Sequence, residues 1–270
     1  MIELNKIYNE DCLITMSKMP DEFIDLVITS PPYDNLRTYK GYSFDFEKIA
    51  KELYRIIKPG GVVVWVVADA SIDGSETGTS FRQALYFKDV CGFNLHDTMI
   101  YRKENPKPTT NFMHKRYEQA FEYMFVLSRG KPKTFNPITV EKTYKVHRTK
   151  VFSARQPDGS MKEGKYSSDK TYKIKENVWS YTVGYLSSTC DDVAFEHPAI
   201  FPEQLVADHM HSWSNEGDIV YDPFMGSGTV AKVSILMRRN YIGSEIAKEY
   251  CEIAEKRISL YKENIFAINQ

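Results

Sequence analysis

Two short segments carry residue types that could do chemistry, and they stand near opposite ends of the chain: Thr29-Ser30-Pro31-Pro32-Tyr33 and Asp222-Pro223-Phe224-Met225-Gly226-Ser227-Gly228-Thr229. Consecutive prolines remove two backbone donors and fix φ, so the carbonyls before them point outward as unpaired acceptors. Rigid acceptors at Ser30 and Pro31 beside Tyr33 suit a planar ring bearing an exocyclic amine. The amine would donate to Ser30 and to the Pro31 carbonyl, and Tyr33 would stack on the ring face. A proline-rich turn with a structural tyrosine competes as the explanation of this segment taken alone. In the second segment, Gly226 and Gly228 allow a sharp turn and a closer backbone approach to a ligand than any Cβ permits. Thr229 then opens a helix whose unpaired amides can meet an anionic group. The lysine–hydroxyl pair of a phosphate loop is missing, and in isolation a tight structural turn explains Gly-x-Gly equally well.

The surroundings of the glycines narrow the choice. Tyr241-Ile242-Gly243-Ser244-Glu245 ends the next strand with an acid suited to the two hydroxyls of a ribose. An acid at a helix N-terminus is the plainer alternative for Glu245. Asp222, just ahead of the turn, could accept a hydrogen bond from a ligand ammonium. An adenosine with an amino-acid tail, S-adenosylmethionine, fits these groups together.

Both segments need strands to carry them. Asp25-Leu26-Val27-Ile28 and Asp218-Ile219-Val220-Tyr221 read as buried parallel strands, so each motif lies where a strand opens into a loop, the place where open α/β sheets bind ligands. Further strands are expected at Lys6–Tyr8, Val62–Val67, Thr98–Tyr101, Ala120–Leu127 and Tyr241–Gly243. Helices are expected at Leu13–Met19, Phe46–Ile57, Phe81–Val90, Pro202–Ser214, Thr229–Met237 and Lys248–Leu260. Lys131 to Asn177 shows no sustained period and contains the turn signal Gln156-Pro157-Asp158-Gly159. The alternation implies an α/β protein: a doubly wound, mostly parallel seven-stranded sheet with an inserted module. Residues 1–130 form the first half of the core, 131–177 the insert and 178–270 the second half.

Composition excludes several classes. A chain of 270 residues with 42% apolar and 26% charged residues is ordinary for a soluble globular protein. Its longest apolar run, Val62 to Ala70, is too short to cross a bilayer. The N-terminal residues lack the basic-then-apolar pattern of a secretion signal. Four cysteines (Cys12, Cys91, Cys190, Cys251) form no CxxC pair, which argues for reduced, mostly buried thiols in a cytoplasm and against a metal site. The net charge of −1 conceals a basic block, since Lys131 to Glu176 holds twelve Lys/Arg against five Asp/Glu. A solvated basic face is the bland explanation; a segment that tracks nucleic-acid phosphates is the functional one.

Taken jointly, the motifs resemble those of amino-methylating DNA methyltransferases, in the permuted order that puts the catalytic segment before the cofactor segment. Ser30, Pro31, Pro32 and Tyr33 resemble the catalytic motif, and Asp222, Pro223, Phe224, Gly226, Ser227, Gly228 and Thr229 the cofactor motif. Glu245 resembles the ribose acid, and Asp11, next to Cys12, the acid that binds the adenine amine. The segment from His197 to Leu205, with Phe201 and Pro202, is similar to the one flanking the methionine moiety; Tyr101-Arg102-Lys103 with Asn105-Pro106 resembles the wall of the target-base pocket. The resemblance implies a Rossmann-like class I fold and S-adenosylmethionine as cofactor. It implies base flipping in double-stranded DNA and direct methyl transfer with no metal, in a restriction-modification or orphan context. The insert falls where this family carries target recognition. Ser30 at the head of the tetrapeptide favours N4 of cytosine; N6 of adenine is the nearest alternative. RNA or a protein glutamine as substrate, or a DNA-binding homologue without catalysis, stand further off. A homodimer and a separately acting endonuclease follow by analogy only.

Overall fold

The run Val62–Val67 is buried on both faces, which only a strand in the middle of a covered sheet achieves. The structure, a computed structural model, describes residues 2–32, 44–106, 115–142, 149–167, 171–184, 187–197 and 200–268. In chain order, β1 (Lys6–Tyr8) and α1 (Cys12–Ser17) lead to β2 (Ile24–Thr29), α2 (Phe46–Ile56) and β3 (Ile57–Val67). A small hairpin, β4 (Ser71–Ile72) and β5 (Ser75–Glu76), precedes α3 (Thr79–Tyr86), which runs into a π-helical turn over Phe87–Cys91. Next come β6 (Asn94–Lys103), β7 (Phe121–Ser128), β8 (Thr139–Glu141), β9 (Thr149–Arg155), β10 (Met161–Ser167), β11 (Tyr172–Ile174) and β12 (Val178–Tyr181). A 3-10 turn over Asp192–Glu196 leads to α4 (Glu203–Trp213), β13 (Ile219–Asp222), α5 (Thr229–Leu236), β14 (Asn240–Ser244) and α6 (Lys248–Ile268).

The main sheet has eight strands in the order β1-β14-β13-β2-β3-β7-β6-β12. Among these described strands only β7 is antiparallel to its neighbours. The chain leaves β2 through α2 to reach β3 on one side, and leaves β13 through α5 to reach β14 on the other. Right-handed crossovers in opposite directions set α2 and α5 on opposite faces, and strand order reverses between β2 and β13. On one face Val27, Val63, Trp65, Tyr221 and Ile242 pack against Met16, Ile49, Leu53, Ile56 and Ala84 from α1, α2 and α3. The stripe in α2 follows the helical period, and Asp45 caps the helix by accepting from the Lys48 amide at 3.2 Å. Trp65, fully buried, places its indole N–H on Gln83 Oε1 at 2.9 Å, so its burial gain of roughly 1.5–3 kcal/mol or more carries no unpaired donor.

The expected α/β architecture holds, with one strand more than the sequence implied. The eighth, β12, pairs in parallel with β6 at the sheet edge. It buries only Trp179 and Tyr181, and two alternating apolar residues in a polar stretch are too short a pattern to read. The stretch Lys131–Asn177, which lacks sequence periodicity, contains two antiparallel pairs, β9 with β10 and β8 with β11. The turn at Gln156–Gly159 is the tip of the first: Gln156 N donates to Ser160 O at 2.8 Å and Gly159 takes φ +85°. Residues 137–176 form a compact unit of their own, separate from residues 1–136 and 177–270. The cysteines are all unpaired; Cys12 and Cys251 are buried, Cys91 is half-buried and Cys190 is exposed. No helix among the described residues is long and apolar enough to cross a membrane.

Candidate active site

The reversal between β2 and β13 is where a doubly wound sheet opens a crevice beyond its strand ends, and both chemical segments leave the sheet there. Val220 and Tyr221 of β13 lie in register with Leu26 and Val27 of β2, so Thr29 and Asp222 end adjacent strands. Thr29 Oγ1 donates to Asp222 Oδ1 at 2.7 Å, and the Phe224 amide donates to the same oxygen at 3.0 Å. Ser30 and Pro32 are half-buried and Pro31 is buried. Tyr33, the fourth expected catalytic residue, lies outside the described residues. Burial pushes the Asp222 carboxyl up to about 7, against the pull of Thr29 and the Phe224 amide, and the nearby Glu245 adds to the rise.

Local chemistry explains the glycine turn. Pro223 is followed by Phe224, whose ring packs edge-on near Trp65 at 6.4 Å. Met225 N donates to Ser244 O at 2.8 Å, tying the turn to β14. Gly226 and Gly228 take φ of +51° and +79°, a region closed to most side chains. A Cβ on Gly228 would lie 3.0 Å from Ala254 Cβ, and one on Gly226 would lie 3.2 Å from His197 Nε2. Glycine at 228 thus lets α6 close on the start of α5, and glycine at 226 lets His197 cover the turn. Gly228 also heads α5 with no side-chain cap on the first amides of the helix.

Glu245 takes the helix-start role weighed as its plainer alternative, and adds a bond to the glycine turn that the sequence did not suggest. Its Oε2 accepts from the Gly226 amide at 2.9 Å and its Oε1 from the Ala247 amide at 2.8 Å. The carboxylate therefore fastens the glycine turn to the end of β14 before it meets any ribose, and each oxygen keeps capacity for a further donor. Burial raises its pKa, opposed by those amides. At the end of β1, Asp11 caps α1 by accepting from the Leu13 amide at 2.7 Å. Cys12, buried beside it, is held as a thiol, pushed up to about 12 by burial and by the Asp11 charge. Phe201 is half-buried; buried Pro202 stands at the head of α4, which packs on α5.

The sequence profile of the DNA methylase family matches residues 24–256. The chain belongs to the DNA methylase family. This methylase is 55% identical over 242 residues to the orphan methyltransferase M.BamHII of Bacillus amyloliquefaciens, covering 88% of this chain and 89% of that protein. It is 29% identical over 269 residues to the type II methyltransferase M.BglII of Bacillus subtilis, covering 95% and 69%. Among solved structures, PvuII DNA methyltransferase (cytosine-N4-specific) superposes with a TM-score of 0.69 at 20% identity, covering 95% of this chain and 91% of that one. The M1.HpyAVI–SAM complex gives 0.61 at 22% identity, covering 94% and 98%. Both structural likenesses concern the fold.

In this methylase, residues outside the motifs brace the segments around the turn and the sheet ends. Ser227 and Thr229 are held from behind by Arg257, which donates to Ser227 O at 2.9 Å and to Thr229 Oγ1 at 3.0 Å. The sequence signal for it was an arginine in the apolar register of α6, between buried Ala254 and Ile258. At the end of β3, buried Asp69 accepts from Ser80 N at 2.9 Å and Ser80 Oγ at 2.5 Å, which fixes the start of α3. In the segment likened to a base-pocket wall, Tyr101 is buried against Tyr181 with ring centroids 5.8 Å apart. Asn105 exchanges two hydrogen bonds with the Val183 backbone, at 2.6 and 2.7 Å, and so extends the pairing of β6 with β12 past their ends.

Proposed function

We propose that this DNA methyltransferase transfers a methyl group from S-adenosylmethionine to the exocyclic amine of a flipped base in double-stranded DNA, N4 of cytosine in preference to N6 of adenine. The observation that carries the reading is the Thr29–Asp222 hydrogen bond, 2.7 Å, at the reversal of strand order. It joins the amine-accepting loop to the loop suited to the cofactor. The donor set fits a cationic ligand. Asp222 and Glu245 are both buried with raised pKa values, and among the described residues their hydrogen-bond donors are a hydroxyl and backbone amides rather than basic side chains. A ligand bearing a sulfonium and an ammonium brings the opposite charge that no described residue supplies to them.

When bound, S-adenosylmethionine supplies an electrophilic methyl on a positively charged sulfur. The chain's own residues do the rest. Asp222 receives the ammonium, Glu245 and Asp11 serve the ribose and adenine ends, and Gly226 and Gly228 allow close approach. Ser30 Oγ and the Pro31 carbonyl accept the amine hydrogens and turn the nitrogen lone pair out of conjugation, toward the methyl. Tyr33 stacks on the extruded base. Flipping costs a few kcal/mol, which stacking and basic contacts offset; holding the nitrogen in line accounts for much of the acceleration. The preference for cytosine rests on Ser30 heading the tetrapeptide. A DNA substrate also supports a cytoplasmic location.

The test is to methylate duplex DNA with labelled cofactor, digest it, and identify the nucleoside by mass spectrometry. N4-methyldeoxycytidine is the expected product. N6-methyldeoxyadenosine would replace the base assignment while keeping the mechanism, and label entering RNA alone would overturn the substrate.

A further inference from the structure

Behind the glycine turn, four charged side chains sit together with little access to water. Arg257 is fully buried, Lys232 and Asp191 nearly so, and Glu203 is about three-quarters covered. Arg257 donates through Nε to Asp191 Oδ2 at 2.7 Å, and through Nη2 to Glu203 Oε1 at 2.5 Å and Thr189 Oγ1 at 3.1 Å. Its remaining face, through Nη1, meets Ser227 O and Thr229 Oγ1 in the turn. Lys232 Nζ bridges the same two carboxylates at 2.7 Å each. Tyr261 donates to Asp191 and Thr189 to Glu203. Burial by itself would raise the Asp191 carboxyl, but Lys232, Tyr261 and Arg257 outweigh it and hold the group down at about 2.

A buried ion cluster is a poor way to gain stability, because desolvation consumes most of the attraction. Its geometry has a clearer use. Asp191 and Glu203 bracket the segment that contains His197, the side chain lying over Gly226. One planar guanidinium therefore spans three pieces of chain: the turn, the 189–203 segment and α6. Lysine cannot span them, since its single nitrogen lacks the fixed fork of donors.

We propose that Arg257 is a positioning residue of the cofactor pocket, fixing the Ser227 carbonyl and the Thr229 hydroxyl and holding them in register with Thr189, Asp191 and Glu203. The inference rests on S-adenosylmethionine binding at the glycine turn. It is tested with the full chain by comparing wild type with Arg257→Lys: calorimetric titration of S-adenosylmethionine, KM for cofactor and for DNA, kcat at saturating cofactor, and melting temperature. In the lysine variant, cofactor Kd and KM should rise at least tenfold, while KM for DNA and kcat stay within about twofold. A cofactor Kd within twofold of wild type, with only the melting temperature lowered, overturns the proposal. Should Arg257→Lys fail to fold, Thr189→Val removes one partner of the guanidinium and leaves its charge. That variant should weaken cofactor binding several-fold, and an unchanged Kd overturns the proposal equally. A wild-type chain that binds no S-adenosylmethionine overturns the cofactor reading itself, and this inference with it.

Discussion

At Asp222 a single carboxyl oxygen receives both the Thr29 hydroxyl and the Phe224 amide, so its protonation state matters to stability and, on the proposed function, to cofactor binding. Its pKa stands at about 7 against an ordinary 3.8. A folded-state pKa above the unfolded one makes a contribution to stability that is fully present below about pH 4 and is lost as pH rises through about 7. The loss amounts to about 4 kcal/mol at most. Asp222→Asn should therefore flatten the dependence of urea midpoint on pH across that window. Cofactor affinity should run the other way, rising with pH as the carboxylate forms, and the same variant should abolish the rise. Ser30 belongs to the other loop, so Ser30→Ala should leave cofactor Kd unchanged while lowering kcat by about 100-fold or more, the usual effect of removing one aligned hydrogen-bonding group. Near-normal turnover would remove Ser30 from the mechanism. Asp222 and Ser30 stood out as candidates because residue type at a strand end limits chemistry locally; the rise of the Asp222 pKa did not, because it needs the burial that only packing provides.

Between residues and the whole fold, elements succeed or fail by how they meet. Gly228 takes φ +79°, and a Cβ there would lie 3.0 Å from Ala254. Gly228→Ala should cost about 1–3 kcal/mol in backbone strain, with further loss as α6 is pushed from α5, read as a lowered urea midpoint together with weakened cofactor binding. The helices were readable because each repeats a period over enough residues, and the central strands because each is a short continuous apolar run. β12 was not, since four residues with two buried side chains at an edge carry too little pattern. The β8–β11 strands were missed for a related reason. Exposed strands such as β11, whose three residues all face solvent, have no hydrophobic alternation to show, although the turn at Gln156–Gly159 announced one hairpin.

For the molecule as a whole, charge is partitioned. Residues 137–176, the smaller compact unit, hold ten Lys/Arg against five Asp/Glu in a chain whose net charge is −1. If this unit tracks phosphates, replacing Lys162, Lys173 and Lys175 with Gln should weaken DNA binding. It should also reduce the slope of log K against log salt by about 0.9 for each phosphate no longer neutralised. Cofactor affinity should not change. Unaltered salt dependence would return the unit to being merely a solvated basic surface.

The order of the motifs, the alternation of strands and helices, and the class of chemistry were determined by the sequence alone. Prolines, glycines and buried apolar runs constrain the backbone within a few residues of themselves. Tertiary structure alone decided that Thr29 meets Asp222 across 193 residues. It also decided that Glu245 secures the glycine turn and that Arg257 stands behind it. Such pairings depend on which strands become neighbours and what is shut away from water, and no local pattern encodes either.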